Sequence, residues 1–163
     1  MDSFHYSELL LTHLPKGAFL TVAADGKVNT MTIGWGSIGH YWNKPIAMVM
    51  VRYSRYTYEL IEKADSFTIS LPLQSDLKKE LSIAGSKSGR DIDKLAQLQL
   101  KAQAAKKIPS PVIEQCDLFY ECRIVYKQPI DPEHLDPQIK QACYAQGDYH
   151  VLYHGEILAS YLK

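Results

Sequence analysis

The sequence is poor in cysteine: it has three, an odd number, which argues against a framework of disulfide bonds. Cys116 and Cys122 fall in or beside one strand-like segment. Six extended residues span about 20 Å, which is too long for a bridge within the strand. Neither a CxxC nor an HExxH motif occurs. We therefore predict buried, unbridged thiols.

The sequence also lacks an excess of charge. It has 18 Lys plus Arg and 18 Asp plus Glu, so the formal net charge is zero. Nucleic-acid binding and a polybasic membrane surface both call for a basic excess. No apolar run approaches the about 18 residues of a membrane span, and the N-terminus lacks an export signal. We expect a cytoplasmic protein with no nucleic-acid or membrane partner.

The 163 residues suit one domain, spanning residues 1–163, with a core that needs no disulfide or structural metal. Asp25-Gly26 is a strong hairpin signal, which makes the first two strands antiparallel. The pattern predicts a mainly β fold, a mostly antiparallel barrel or sheet with peripheral helices. Strands are predicted at residues 17–23, 27–33, 46–51, 66–71 and 118–126, and helices at 6–14, 54–63 and 75–83.

The later segments carry weaker patterns. We predict that Gly85 follows the end of the third helix. Residues 86–95 are expected to form a polar loop that leads into another helix. Three prolines between residues 129 and 137 indicate a loop, and the chain is expected to end with two strands, at 151–153 and 157–161.

The first candidate site is the segment 51–57, which follows a buried strand and opens a predicted helix. It holds two arginines together with serine and threonine hydroxyls. Free helix N–H groups and guanidinium groups both bind phosphate oxygens. The alternative is a capped helix with solvated arginines.

The second candidate is the segment 29–37, where a strand passes into a glycine-flanked tryptophan. Gly34 and Gly36 allow a ligand to approach the backbone, and Trp35 can cover a planar ring. The alternative is a strand end with a packed tryptophan. Gly34, Gly36 and Gly39 match the letters of a dinucleotide fingerprint, but no helix follows, so that interpretation is weak.

Two further segments are candidates. Residues 86–94 form either an anion-binding loop or an ordinary polar loop. His150 and His154 are four residues apart and share a face if they lie on a strand. They have no third ligand nearby in the sequence, which argues against a metal site; a packed or hydrogen-bonded histidine is the alternative.

Taken in their order along the chain, the four segments resemble the flavin reductase-like family, which binds FMN in a split β-barrel, and most closely its flavoredoxin-type branch. The resemblance covers about residues 16–161. Its most specific stretches are residues 29–35, Lys44-Pro45 with the following 51–57, residues 88–94, residues 120–123, and His150 placed five residues before Gly155-Glu156-Ile157.

The resemblance implies a homodimer with FMN in a groove near the subunit interface. By position, the residues flanking the isoalloxazine ring would be Asn29, Met31, Thr32 and Trp35. Those approaching the phosphate would be Arg52, Ser54, Arg55 and Thr57, and those closing over the cofactor Ser88 and Lys94. His150 would be the catalytic residue, near the nicotinamide. Many reductases have Gly-Asp-His, whereas this chain has Tyr149 before the histidine.

Three functions remain open on this basis. The first is an NAD(P)H-dependent flavin reductase that passes electrons from FMN to free flavin or another electron acceptor. The second is an electron-transfer flavoprotein that exchanges electrons with protein partners. The third is a non-redox FMN-binding dimer. In each redox case the flavin does the chemistry and the protein supplies orientation and electrostatics.

Overall fold

Nine strands organise the chain in the computed structural model, which describes residues 4–163. Seven of them form one sheet in the order β2-β1-β5-β8-β9-β4-β3, with every neighbouring pair antiparallel; β6 and β7 form a small second sheet. The strands are β1 (Ala18–Ala24), β2 (Lys27–Ile33), β3 (Gly36–Tyr41), β4 (Lys44–Arg52), β5 (Ser66–Leu71), β6 (Ala102–Gln103), β7 (Val112–Ile113), β8 (Leu118–Pro129) and β9 (His150–Leu162).

Short helices lie around this sheet. They are α1 (Ser7–His13), α2 (Tyr56–Ile61), α3 (Lys78–Ser86), α4 (Lys94–Gln97) and α5 (Pro137–Tyr144), and α1 continues into a 3₁₀ turn, Leu14–Lys16. Together with the antiparallel sheet, they confirm the predicted mainly β fold with peripheral helices.

The buried hydrophobic residues form two clusters, and every residue of β5 is buried. Phe67, Tyr120 and Tyr153 are among the largest fully buried side chains. One segment outside the sheet is tied to it by Glu121, which is itself buried. Its carboxylate accepts hydrogen bonds from the backbone N–H groups of Lys106 and Lys107 at 2.8 and 2.7 Å.

The first hairpin and the buried strands confirm the sequence predictions. Asp25 and Gly26 both have positive φ, 51° and 72°, as the tight turn between β1 and β2 requires. Strand β5 spans the predicted residues. The three cysteines are free and Cys116 and Cys122 are buried, as expected, whereas Cys143 is only half-buried.

The prediction of two separate C-terminal strands is wrong, because β9 runs unbroken through Gly155. At Gly155 a Cβ atom would lie 2.7 Å from both the Cβ of Cys122 and the ring of Phe67. This glycine therefore allows close packing between strands and does not end one.

The proline-rich loop is confirmed between Pro129 and Pro137, but the helix that follows it was not predicted. Helix α5 begins at Pro137, and the carboxylate of Asp136 accepts hydrogen bonds from the backbone N–H groups of Gln138 and Ile139. An aspartate N-cap followed by proline in the first turn is a favourable helix start.

Three other helix boundaries differ from the prediction. Helix α2 begins at Tyr56, because Arg55 has extended backbone angles and occupies the N-cap position. Helix α3 begins at Lys78 and includes Gly85, where a Cβ atom would approach Thr32 to 3.3 Å. The helix after the polar loop has only four residues, Lys94–Gln97.

Replacing Gly155 with alanine is expected to destabilise the fold by about 1–3 kcal/mol, since the added methyl group overpacks the core. Chemical denaturation measures the change. Gly34→Ala is the matched control, because its Cβ atom would meet its nearest neighbour, the carbonyl oxygen of Leu14, at an ordinary 3.8 Å. Equal stability of the two variants would contradict this account of the core.

Candidate functional site

The first part of the site is a cavity of about 220 Å³ where the ends of β2, β4 and β9 meet. We call it the Trp35 cavity. Its lining residues are Met31, Thr32, Ile33, Gly34, Trp35, Met50, Arg52 and His150. Trp35 is 49% exposed, and its ring centroid lies 5.5 Å from that of His150. An exposed indole beside a recessed imidazole suits a planar, partly apolar ligand.

The second part is a cavity of about 200 Å³ between the start of α2 and the loop after α3. We call it the Lys94 cavity. Its lining residues are Ser54, Arg55, Tyr56, Thr57, Ser86, Lys87, Ser88, Gly89 and Lys94. Hydroxyl groups and cationic side chains dominate this list, which is the chemistry of an anion site.

Two cations meet at the wall of the Lys94 cavity. Lys94 Nζ donates to the carbonyl oxygen of Ala84 at 2.8 Å. Arg55 donates to the carbonyl oxygens of Gly85 at 2.6 Å and of Ala84 at 3.2 Å. Both side chains therefore converge on the last turn of α3.

Electrostatics make this pair of cations unusual. Lys94 is only 3% exposed, and burial together with the charge of Arg55 lowers its pKa to about 8. Burial also lowers the pKa of Arg55, while Asp148 opposes that shift. Among the ion pairs formed within residues 4–163, none includes either side chain. A buried cation without a carboxylate partner is costly, and a bound anion relieves that cost.

Asn29 and Thr57 connect β2 to α2 beside this cavity. Asn29 Nδ2 donates to Thr57 Oγ1 at 2.8 Å, and Asn29 lines a neighbouring cavity of about 390 Å³. A Cβ atom at Gly89 would collide with Asn29 Oδ1, so the loop after α3 approaches β2 closely. In that loop, the Ser88 hydroxyl accepts a hydrogen bond from the backbone N–H of Arg90 at 3.1 Å.

The residues predicted to approach the phosphate line two different cavities. Arg55 and Thr57 line the Lys94 cavity, whereas Arg52 lines the Trp35 cavity. Arg52 donates to the carbonyl oxygens of Asp148 at 2.7 Å and of Cys143 at 3.0 Å. It therefore holds the loop between α5 and β9.

Ser54 also contacts that loop. Its backbone N–H and its hydroxyl donate to the carboxylate of Asp148 at 3.0 and 2.6 Å. Asp148 has a positive φ of 54°. Ser54 still lines the Lys94 cavity, so it joins the α5–β9 loop to the anion site.

The remaining predicted ring contacts lie in the Trp35 cavity. Met31 is buried, and the Thr32 hydroxyl donates to the carbonyl oxygen of Leu81 at 2.6 Å. This bond links β2 to α3. Helix α3, whose carbonyl oxygens accept hydrogen bonds from Arg55 and Lys94, is therefore fixed to the strand that lines the Trp35 cavity.

His150 is 8% exposed and has its Nδ1 atom 2.7 Å from the hydroxyl of Tyr144. Burial and the nearby charge of Arg52 lower the pKa of His150 to about 4, against a smaller opposing effect of Asp148. The imidazole is therefore neutral at neutral pH. Sequence reasoning missed Tyr144 because no helix was predicted after the proline-rich loop; the Asp136-Pro137 helix start is the signal that identifies it.

His154 has different neighbours from His150. Its ring packs against those of Tyr41, Trp42 and Tyr126. Within residues 4–163 no group of three or more histidine, cysteine or carboxylate side chains is arranged to hold a metal ion. No helix formed by these residues has the length and apolar character needed to cross a membrane.

Comparison with known proteins identifies the family of this chain. Residues 11–163 match the flavin reductase like domain family. An uncharacterised protein of Archaeoglobus fulgidus is 32% identical over 111 residues, which cover 68% of this chain and 62% of the relative. This chain thus matches less than two thirds of that relative's length.

Two solved structures are similar over most of the chain. Flavoredoxin from Methanosarcina acetivorans is 28% identical with a TM-score of 0.70, over 90% of this chain and 68% of the other. Flavoredoxin of Desulfovibrio vulgaris (Miyazaki F) has the same TM-score at 22% identity, over 90% and 69% of the two chains, and supports the fold alone. The chain belongs to the flavin reductase-like family and has its split-barrel fold.

Proposed function

We propose that the flavin of this protein is FMN and that the protein is an NAD(P)H-dependent flavin reductase. The observation that carries the proposal is the pair of cations at the Lys94 cavity, Arg55 and Lys94, neither of which forms an ion pair within residues 4–163. Such a pair matches a phosphate monoester, which carries about two negative charges at neutral pH.

The rest of the site fits the other end of the same molecule. The Trp35 cavity has the indole and imidazole groups that suit a flat ring system. Arg52 lines one cavity and Ser54 the other, and only one residue separates them in the chain. A ligand with a planar head, a short polar linker and a terminal phosphate thus meets matching side chains along its length.

The protein residues hold and orient the reactants in this proposal. When bound, FMN supplies the redox chemistry by accepting and releasing electrons. Arg55, Lys94, Ser88 and Thr57 bind the phosphate end. Met31, Thr32 and Trp35 border the ring, and Asn29, which donates to Thr57, lies nearer the phosphate end. His150, neutral and recessed beside Trp35, orients the nicotinamide of the electron donor in the same cavity.

Titration of the flavin-free protein with FMN tests the cofactor assignment. We expect saturable binding, and much weaker binding of riboflavin, which has the ring but lacks the phosphate. Hydrogen bonds to charged groups contribute about 1.5–3 kcal/mol each, so loss of the phosphate contacts should weaken binding at least about tenfold. Equal affinity for FMN and riboflavin would contradict the phosphate assignment.

Electron transfer between protein partners is a second candidate function. It is favoured by the 28% identity to a flavoredoxin and by Tyr149, which departs from the Gly-Asp-His sequence of many reductases. In that case a reduced partner protein, and not NADH or NADPH, would reduce the bound flavin.

A homodimer that helps to enclose the flavin is part of the proposal. It is supported by the family resemblance and by the exposure of Trp35 at the rim of its cavity. Light scattering of the FMN-loaded protein at dilute concentration is expected to give twice the chain mass. A monomer of 18.5 kDa that retains FMN would contradict it.

FMN affinity is expected to fall as the pH rises through about 8, because Lys94 then loses its charge in the unliganded protein. About one pH unit above that value, binding should be weakened by up to about tenfold. Fluorescence titrations at several pH values measure the effect, and Lys94→Met should remove it.

The same lowered pKa has the opposite effect on the stability of the unliganded protein. Between pH 8 and the ordinary pKa of lysine, the unfolded chain holds the Lys94 proton more tightly than the folded chain does. Stability therefore rises with pH over this range. A fall of both affinity and stability in this range would indicate general unfolding and would contradict the role given to Lys94.

A further inference from the structure

Tyr144 connects helix α5 to His150. It is the last residue of α5, is 4% exposed, and its ring meets that of His150 edge-on at 5.6 Å. The partner of its hydroxyl among residues 4–163 is Nδ1 of His150, at 2.7 Å. The bond is buried, so its geometry decides how the imidazole faces the Trp35 cavity.

Arg52 helps to hold Tyr144 and His150 in place. Its guanidinium lies 5.0 Å from the centre of the Tyr144 ring and donates to the carbonyl oxygen of Cys143, the preceding residue. It is also the cross-strand partner of His150 in the β4–β9 register. Helix α5, β4 and β9 thus fix the tyrosine and the histidine together.

The protonation states of the two rings decide which atom donates. Burial raises the pKa of Tyr144, so its hydroxyl keeps its proton at neutral pH. His150 is neutral there, with one basic nitrogen and one N–H. A phenol is a better proton donor than a neutral imidazole N–H, so the hydroxyl donates to Nδ1 and the imidazole proton resides on Nε2.

We propose that Tyr144 is a positioning residue that holds His150 in the Nε2–H tautomer and leaves that N–H as a hydrogen-bond donor to a ligand in the Trp35 cavity. The ligand group that fits is a carbonyl oxygen, such as the carboxamide of a nicotinamide. This inference rests on the proposed function for the identity of the ligand, but the tautomer itself is a property of the unliganded protein.

NMR of the unliganded protein with ¹⁵N-labelled histidine tests the tautomer, through the couplings of the ring protons to Nδ1 and Nε2. Wild-type His150 is expected to be almost entirely in the Nε2–H form. In Tyr144→Phe, which keeps the ring and its packing, the Nδ1–H population should rise about two- to tenfold, the worth of one hydrogen bond. Tyr149→Phe is the matched control, because its ring stacks on Tyr144 at 4.8 Å yet makes no contact with His150 among the ring pairs of residues 4–163.

Flavin reduction provides the second readout. In Tyr144→Phe the rate is expected to fall in proportion to the loss of the Nε2–H population, with FMN affinity unchanged. A tautomer shift supports the positioning role even if FMN fails to bind, in which case only the proposed function is overturned. A wild-type His150 with its proton on Nδ1, or a tautomer ratio that is the same in wild type and Tyr144→Phe, would overturn the positioning role.

Discussion

Lys94→Met is expected to weaken FMN binding by about ten- to a hundredfold, since a hydrogen bond to a charged group contributes about 1.5–3 kcal/mol. The free energy of unfolding should stay within about 1 kcal/mol of wild type. The variant loses the 2.8 Å hydrogen bond to the Ala84 carbonyl but also removes the cost of a buried cation. Fluorescence titration and chemical denaturation measure the two quantities.

Lys79→Met is the matched control for this variant. Lys79 is exposed on the same helix α3 that carries the Ala84 carbonyl, and it lines neither cavity of the site. Its removal should leave FMN affinity unchanged. The phosphate assignment fails if both lysine variants bind FMN as wild type does.

His150→Ala is expected to slow the reduction of bound FMN by NADH or NADPH about ten- to a hundredfold while leaving FMN affinity within a few-fold of wild type. Correct placement of a reactant lowers the reaction barrier by several kcal/mol. His150 is a recessed polar group beside Trp35 and is therefore placed to orient the electron donor. Anaerobic stopped-flow spectroscopy measures the rate.

His154→Ala is the control for His150. It lies four residues away on the same strand and packs in a different aromatic cluster with Tyr41 and Trp42. We expect wild-type reduction rates from it. Equal rates in wild type and His150→Ala would show that His150 has no part in orienting the electron donor.

The parts of the fold that the sequence predicts are those governed by local chemistry. Asp25-Gly26 determines the first hairpin, because its turn needs two residues with positive φ. The next hairpin uses Trp42 and Asn43 with φ of 52° and 55°, a pair without that glycine signal. Strand β3, which it connects to β4, was therefore missed, and its two glycines and histidine further hide the pattern.

Tertiary packing decided the features that the sequence did not reveal. Gly155 indicates a strand end in isolation, but in the fold it makes room for the ring of Phe67. Arg52 and Arg55 look equivalent in a short basic segment. The extended backbone before α2 places the two side chains in different cavities. Arg52 donates to the carbonyl oxygen of Cys143, a contact that depends on the position of α5. The resemblance to the family supplied Lys94, whose burial no local pattern indicates.

Anaerobic addition of NADH and then NADPH to the purified FMN-loaded protein tests the central claim most directly, with the visible absorbance of the flavin as the readout. We expect that the protein binds FMN and that at least one of the two nucleotides bleaches the flavin absorbance. A flavin that stays oxidised with both nucleotides, but is bleached by a chemical reductant, would contradict the reductase assignment and leave electron transfer between proteins as the function.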